Sequence, residues 1–254
     1  MDLRLRGLNA IVTGGGRGLG HEICAALAAE GANVATCGRN RDALMATEQR
    51  LADAGVRTRA DVLDVRAAED YRRWIDEAAG WLGGVDLFVA NASAMAVGDD
   101  EDAWQDSIEV DLMHTVRGCQ AVIPHMRERK GGSIVVLGSA AASAPFTEDE
   151  RAYSAAKAAT VSYASQLAHD VAGDSIRVNA VLPGSIDVPG GFWEQLRSEN
   201  PEAYASAAET HALGRMAEVS EVVEPIVFLA SPAASFITGV ALRVDGGLIK
   251  SIDL

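Results

Sequence analysis

Tyr153-Ser154-Ala155-Ala156-Lys157 places a phenol and an ammonium four residues apart. On a helix, positions i and i+4 share one face, so the two groups point the same way. A tyrosine titrates near 10 when unperturbed, too high for acid/base work at neutral pH. A neighbouring ammonium favours the phenolate and lowers that value. The pair is thus a candidate acid/base unit, although YxxxK alone is common by chance and needs company. Ser139, fourteen positions upstream at the end of the run SIVVLGS, is the nearest candidate company.

A second candidate lies near the start. The β-type run AIVT leads into GGGRGLG and then into a helical pattern beginning near Leu19. A glycine-rich turn between strand and helix lets backbone approach a pyrophosphate, and the helix N-terminus offers free N–H groups and a positive dipole end. The spacing of Gly14, Gly18 and Gly20 is GxxxGxG rather than GxGxxG.

These residues need a scaffold, and the chain alternates strand and helix throughout. Strand-type runs fall at 10–13, 33–37, 57–61, 85–90, 133–137, 177–182 and 241–244. Between them, Leu19, Ile23 and Leu27 recur at helical spacing, as do Val222, Ile226 and Leu229. Repeated β–α–β of this kind predicts an α/β fold: one doubly wound parallel sheet, Rossmann-like, of about seven strands with helices on both faces. Runs such as VDLFVA and SIVVLG fit strands buried on both sides. The length of 254 residues, with no linker or repeat, reads as a single domain over 1–254. Only 185–212 breaks the rhythm, as a lid-like insertion before the end of the fold. The DDED run at 99–102 reads as a solvated loop entering a helix.

Composition narrows the function classes. With 48% hydrophobic residues the chain supplies a full core, which excludes a disordered chain or a disulfide-stapled miniprotein. The net charge of −14 disfavours nucleic acid and anionic membrane surfaces as partners, leaving room for one local basic patch around a small anion. Cys24, Cys37 and Cys119 have no paired or zinc-type spacing and read as buried thiols of a reducing cytosol. No apolar run reaches membrane-spanning length and MDLRLRGLNA does not read as a signal peptide, so the expectation is a cytoplasmic protein. The five histidines, His21, His114, His125, His169 and His211, show no metal-ligand spacing and read as surface or satisfied core positions.

Taken together, TGGGRGLG at 13–20, Ser139 and the YxxxK of Tyr153 and Lys157 resemble the short-chain dehydrogenase/reductase family. The resemblance extends over almost the whole chain. It implies a nicotinamide-dependent oxidoreductase acting on a carbonyl or secondary alcohol, such as a 3-oxoacyl group or another hydrophobic ketone. Ser139 would orient the substrate oxygen, Tyr153 would exchange the proton, and Lys157 would bind the nicotinamide ribose and tune Tyr153. Gly14, Arg17, Gly18, Leu19 and Gly20 would hold the phosphates. Gly38 stands where the family has an acidic ribose ligand, and Arg39 follows it. A carboxylate there would repel a 2′-phosphate whereas Arg39 and Arg17 can grip it, so NADP(H) is expected over NAD(H). Both arginines also fit ordinary surface charges. Asp61-Val62 resembles the family's adenine-contacting pair, with a helix N-cap as the plainer reading of Asp61. Asn91 matches the NAG motif, in which Ser93 replaces the glycine. Pro183, Gly184 and Ile186 match the segment over the nicotinamide, and Val188 stands where a threonine is usual.

One departure concerns the chemistry. In the family, an asparagine in the preceding helix helps to hold a proton-relay water, a contact made largely by its backbone; here Asp111 takes that place. An aspartate cannot donate as an amide does, and its charge favours a protonated Lys157. That sustains an alternative reading, an NADP(H)-binding regulatory or scaffold protein with weak catalysis. Met95, Phe146, Phe192 and Trp193 fall in loops expected either to line an apolar pocket or to pack beneath it. In relatives the last helix and strand commonly build a homotetramer, so a homo-oligomer, tetramer or dimer, is expected.

Overall fold

The computed structural model describes residues 1–96, 98–144 and 148–250, the side chain of Glu148 excepted. Its strands are β1 (Asn9–Thr13), β2 (Asn33–Gly38), β3 (Thr58–Val62), β4 (Leu87–Ala90), β5 (Gly132–Leu137), β6 (Ile176–Pro183), β7 (Ile186–Asp187), β8 (Ala217–Glu218) and β9 (Ala241–Val244). Seven form one sheet in the order β3-β2-β1-β4-β5-β6-β9, and β7 pairs with β8 apart from it. Every pairing is parallel.

Register explains why the strands read as apolar runs. Ile11, Phe88, Ile134 and Val178 stand side by side across four strands, and the neighbouring row begins with Val12, Val89 and Val135. Successive side chains alternate faces, so the two rows feed two cores. The first row packs with Tyr71, Ile75, Val122, Met126 and Ala164. These lie on α3 (Ala68–Leu82), α5 (His114–Glu128) and α6 (Arg151–Val171). The second row packs with Ile23, Leu27, Val222 and Ile226, from α1 (Gly18–Ala29) and α9 (Val219–Ala230). A fully buried side chain of this size contributes about 1.5–3 kcal/mol, so both faces anchor the sheet.

Local chemistry starts most of the remaining helices. Asn40 caps α2 (Arg41–Asp53) by accepting from Ala43 N. Asp100, in the acidic run, caps α4 (Glu101–Asp106) by accepting from Ala103 N. α7 (Phe192–Glu199) and α8 (Pro201–Glu209) follow β7, the latter capped by Asn200. A capping box of Glu218 and Glu221 opens α9. Between α4 and α5 the chain winds as a π-helix over Ser107–Met113, the segment that carries Asp111.

The strand order reverses between β1 and β4. Loops at the carboxyl ends of these two strands diverge to opposite sides, opening a crevice where ligands bind in such sheets. Both sequence motifs sit there.

Candidate active site

The glycine turn leaves β1 and is pinned to the end of β2, where Cys37 O accepts from Gly14 N (2.9 Å) and Gly15 N (3.2 Å). Gly14 and Gly18 adopt φ of +73° and +58°, which side-chain-bearing residues rarely do. Gly20 is required for a different reason. A Cβ there would lie 2.3 Å from Gly14 O and 2.4 Å from Asn91 Nδ2. Arg17 precedes α1 in extended conformation, no side chain caps the helix, and its first turn holds no acidic residue. The N–H groups of Gly18, Leu19 and Gly20 are therefore left without a side-chain acceptor, which suits a pyrophosphate. Val188 Cγ1 lies 3.4 Å from where a Gly18 Cβ would stand, so the segment after β6 reaches over the turn. Within that segment Gly184 N donates to Val244 O (3.0 Å), and Ile186 pairs with Ala217.

Thr13 ties the turn to the β4 loop. Its Oγ1 accepts from Asn91 N (3.0 Å) and Ala92 N (3.1 Å) and meets His114 Nε2 at 3.1 Å. The other imidazole nitrogen of His114 contacts Val110 O, a carbonyl. That nitrogen must carry the proton, so Nε2 accepts from Thr13. Burial pushes the His114 pKa down to about 4, which keeps the ring neutral. Asn91 also donates through Nδ2 to Thr13 O (2.9 Å). Ser93, the departure in this loop, accepts from Met95 N (3.2 Å), with Met95 held at φ +49°. Thr13 and His114 were not among the expected site residues, and a lone threonine or histidine gives no signal of such a node.

At the end of β2, Gly38 is open enough for a side chain: a Cβ would meet Leu44 at 3.6 Å, an ordinary contact. Arg17 and Arg39 are exposed, and neither side chain makes a hydrogen bond or ion pair among the described residues, although Arg39 is near enough to Asp64 to help hold its carboxyl below the usual range. Asp61 belongs to β3 and does not cap α3. Its Oδ2 accepts from Arg59 Nε (2.6 Å) and Trp74 Nε1 (2.8 Å). Val62 beside it is exposed.

On the opposite side of the crevice, Ser139 follows β5, and its Oγ accepts from Ala141 N (3.1 Å). Its hydroxyl also makes a hydrogen-bonding contact with the Tyr153 phenol. Lys157, one turn along α6, is 2% exposed. Its Nζ donates to Leu137 O (2.8 Å) and lies 5.7 Å from the centre of the Tyr153 ring. Asp111 is fully buried beside it, with Oδ1 at 3.1 Å from Nζ. The Asp111 main-chain carbonyl accepts from Thr115 Oγ1 (3.2 Å) and Thr160 Oγ1 (3.1 Å).

The electrostatics correct one expectation. Burial alone would lower the Lys157 pKa, but the Asp111 carboxylate and Tyr153 outweigh it and hold the ammonium above its usual range. Lys157 does pull the Tyr153 phenol downward, as expected. Burial, the largest influence, pushes it up, and Asp111 adds to that push. The phenol therefore ends above its ordinary value rather than below it.

Two charged side chains gather in the 185–212 segment: Asp187 contacts Arg197 and accepts from Tyr204 Oη (3.1 Å), joining β7, α7 and α8. Phe192 and Trp193 stack edge to face at 4.9 Å, Phe192 being exposed. Met95 is exposed in the β4 loop; Phe146 lies outside the described residues. A cavity of about 630 Å³ opens between Ser143, Ala144, Thr210, Leu248 and Ile249, with Glu209 and Lys250 at its edge. The three cysteines are buried thiols, each pushed up to about 12 by burial. Among the described residues no helix is long and apolar enough to cross a membrane.

Fold and site together define a class: a Rossmann-type domain carrying a nucleotide crevice with a serine, tyrosine and lysine beside it. The family model described as Enoyl-(Acyl carrier protein) reductase matches residues 14–249. Isoepoxydon dehydrogenase of Penicillium expansum is 32% identical over 250 residues, covering 96% of this chain and 95% of that protein. The probable galactose dehydrogenase of Rhizobium meliloti is 36% identical over 258 residues, covering 97% and 96%. The structure of L-sorbose reductase from Gluconobacter frateurii with NADPH and L-sorbose superposes with a TM-score of 0.92 at 31% identity, covering 99% of this chain and 100% of that one. The chain belongs to the short-chain dehydrogenase/reductase family. It is an NAD(P)-dependent oxidoreductase of the kind that acts on alcohols and ketones.

Proposed function

We propose that this chain interconverts a carbonyl and a secondary alcohol with NADP(H), its substrate being a 3-oxoacyl group or another hydrophobic ketone. The observation that carries the reading is the meeting of Ser139, Tyr153 and Lys157 at one edge of a crevice whose other edge holds two exposed cations, Arg17 and Arg39, with no ion pair among the described residues. When bound, the nicotinamide supplies or accepts the hydride. Gly18, Leu19 and Gly20 hold its pyrophosphate on bare backbone N–H groups, and Gly14, whose own N–H is taken by Cys37 O, lets the turn approach it. Arg17 and Arg39 grip a 2′-phosphate, which favours NADP(H) over NAD(H). Asp61 and Val62 border the adenine, Asn91 keeps the β4 loop against the turn, and Pro183, Gly184 and Ile186 cover the nicotinamide. Two of the three Lys157 donors have partners, Leu137 O and Asp111, and the remaining one serves the ribose. Ser139 orients the substrate oxygen and Tyr153 exchanges its proton. Asp111 acts on the pair through Lys157, as a positioning residue.

The 185–212 segment is the lid over the substrate, with Phe192 and Trp193 its apolar contribution. The reading includes a cytoplasmic homo-oligomer, tetramer or dimer. Phe236, fully exposed between α9 and β9, supplies an apolar contact for it, and light scattering tests it.

A panel of 3-oxoacyl thioesters, alicyclic ketones, ketoses and secondary alcohols, followed at the nicotinamide absorbance, tests the function. The expected result is turnover of at least one carbonyl with higher kcat/KM for NADPH than for NADH. Binding of NADPH without turnover across the panel would overturn it.

A further inference from the structure

Asp111 is held more firmly than an ion pair requires. Its Oδ2 accepts from Ala94 N (3.3 Å), and its carbonyl takes the hydroxyls of Thr115 and Thr160. With those positions filled, Oδ1 is left to face Lys157 at 3.1 Å, both side chains being almost wholly buried. Burial already disfavours the phenolate, and a charge so close to the ammonium offsets part of its field at the phenol, because the two opposite charges act from neighbouring positions. Few other groups bear on the phenol. Glu150, at the start of α6, opposes its ionisation, and the Ser139 hydroxyl favours it. Lys157 itself faces Asp111, Tyr153 and the imidazole of His114, which burial keeps uncharged. Among the described residues, no second cation near the phenol restores what Asp111 removes.

We propose that Asp111, paired with Lys157, offsets the ammonium's pull on the buried Tyr153, so that the site gives a proton to a carbonyl oxygen throughout the neutral range and takes one from an alcohol only in alkali. The inference rests on the oxidoreductase reading above. In reduction, the carbonyl carbon gains the hydride as the C=O π bond breaks, its oxygen takes the phenol proton, and the phenolate recovers a proton from water. In oxidation the phenolate must exist beforehand to accept the hydroxyl proton. The overall equilibrium is untouched; what Asp111 sets is the pH window in which each direction runs.

The test needs no substrate. The ultraviolet absorbance of tyrosinate is titrated in the wild type and in Asp111→Asn, each against the same protein carrying Tyr153→Phe as the blank. Tyr153 of the wild type is expected to stay protonated to above about 10, or until unfolding, and to ionise at least about one unit lower in Asp111→Asn. On any confirmed substrate the oxidation pH profile should shift down equally, raising oxidation near neutrality about tenfold. Superimposable titrations, or a wild-type Tyr153 that ionises below about 10, would overturn the proposal. If Asp111→Asn fails to fold, the wild-type titration against its own blank still decides. Shifted titrations without NADPH-linked turnover on any carbonyl or alcohol would instead sink the oxidoreductase reading.

Discussion

The two edges of the crevice treat positive charge in opposite ways. On the glycine-turn side, Arg17 and Arg39 stand in solvent with no ion pair among the described residues, and α1 begins with neither a capping side chain nor an acidic first turn. By contrast α2, α4, α8 and α9 all begin with side-chain caps. On the catalytic side the cation, Lys157, is buried and matched by a carbonyl and a carboxylate. An uncompensated charge in an acidic protein marks where an anionic ligand is to arrive. A compensated one marks where the protein has set a proton's affinity for itself.

The largest effect should come from the catalytic edge. Tyr153→Phe removes one oxygen, and turnover should fall by at least about 100-fold, the scale of a lost acid/base, with NADPH affinity unchanged by fluorescence titration. Lys157→Ala should weaken both. If Tyr153→Phe weakened NADPH binding as much as turnover, the division of labour between the edges would be lost.

Next comes the link between them, His114. Its folded pKa of about 4 lies below the unfolded value of 6.5. The unfolded chain therefore binds the extra proton between those values, and stability is full above the upper one and falls as pH drops toward the lower. The loss amounts to about 2–3 kcal/mol by pH ~4.5. Urea unfolding at neutral and acid pH should show wild type losing that much more than His114→Gln; equal losses would mean the imidazole is not held neutral.

On the open edge, Arg39→Ala should cost NADPH binding about 1.5–3 kcal/mol and NADH little. A wild type that prefers NADH, or equal losses for both cofactors, would remove the basis for reading unpaired arginines as a phosphate site. Smallest is Val188→Thr, which restores a hydroxyl above Gly18 and should tighten NADPH by about 0.5–1.5 kcal/mol in calorimetry. No change would place that side chain clear of the cofactor.

Much of this was legible in the chain itself. All seven sheet strands fall within a few residues of the runs read from the sequence, most plainly β1, β4, β5 and β6, because strands covered on both faces leave an unbroken apolar signature. Pairing of β7 with β8 was not legible: two residues each, joined across some thirty positions, carry no periodic pattern. Nor was the π-turn at Ser107–Met113, which no residue type demands. The neighbourhood of Asp111 and Lys157 was expected from their motif positions. The sign of the net effect on Tyr153 was not, since burial is a property of packing that no spacing reveals. Asp61 illustrates the same limit, its N-cap reading giving way once Arg59 and Trp74 are seen to occupy its Oδ2.

The position of β1 has a consequence for how the molecule is made. First in sequence among the strands, it ends between β2 and β4, and its partner on one side is some seventy-five residues away. On a ribosome, the glycine turn emerges long before Asn91 and Ala92, whose N–H groups hold Thr13. The nucleotide crevice cannot close until β4 has been synthesised and docked, and closing so long a loop is slow. A nicotinamide cofactor therefore has no completed crevice to bind in the early nascent chain, and stabilisation by its binding begins only after the sheet's centre has been assembled.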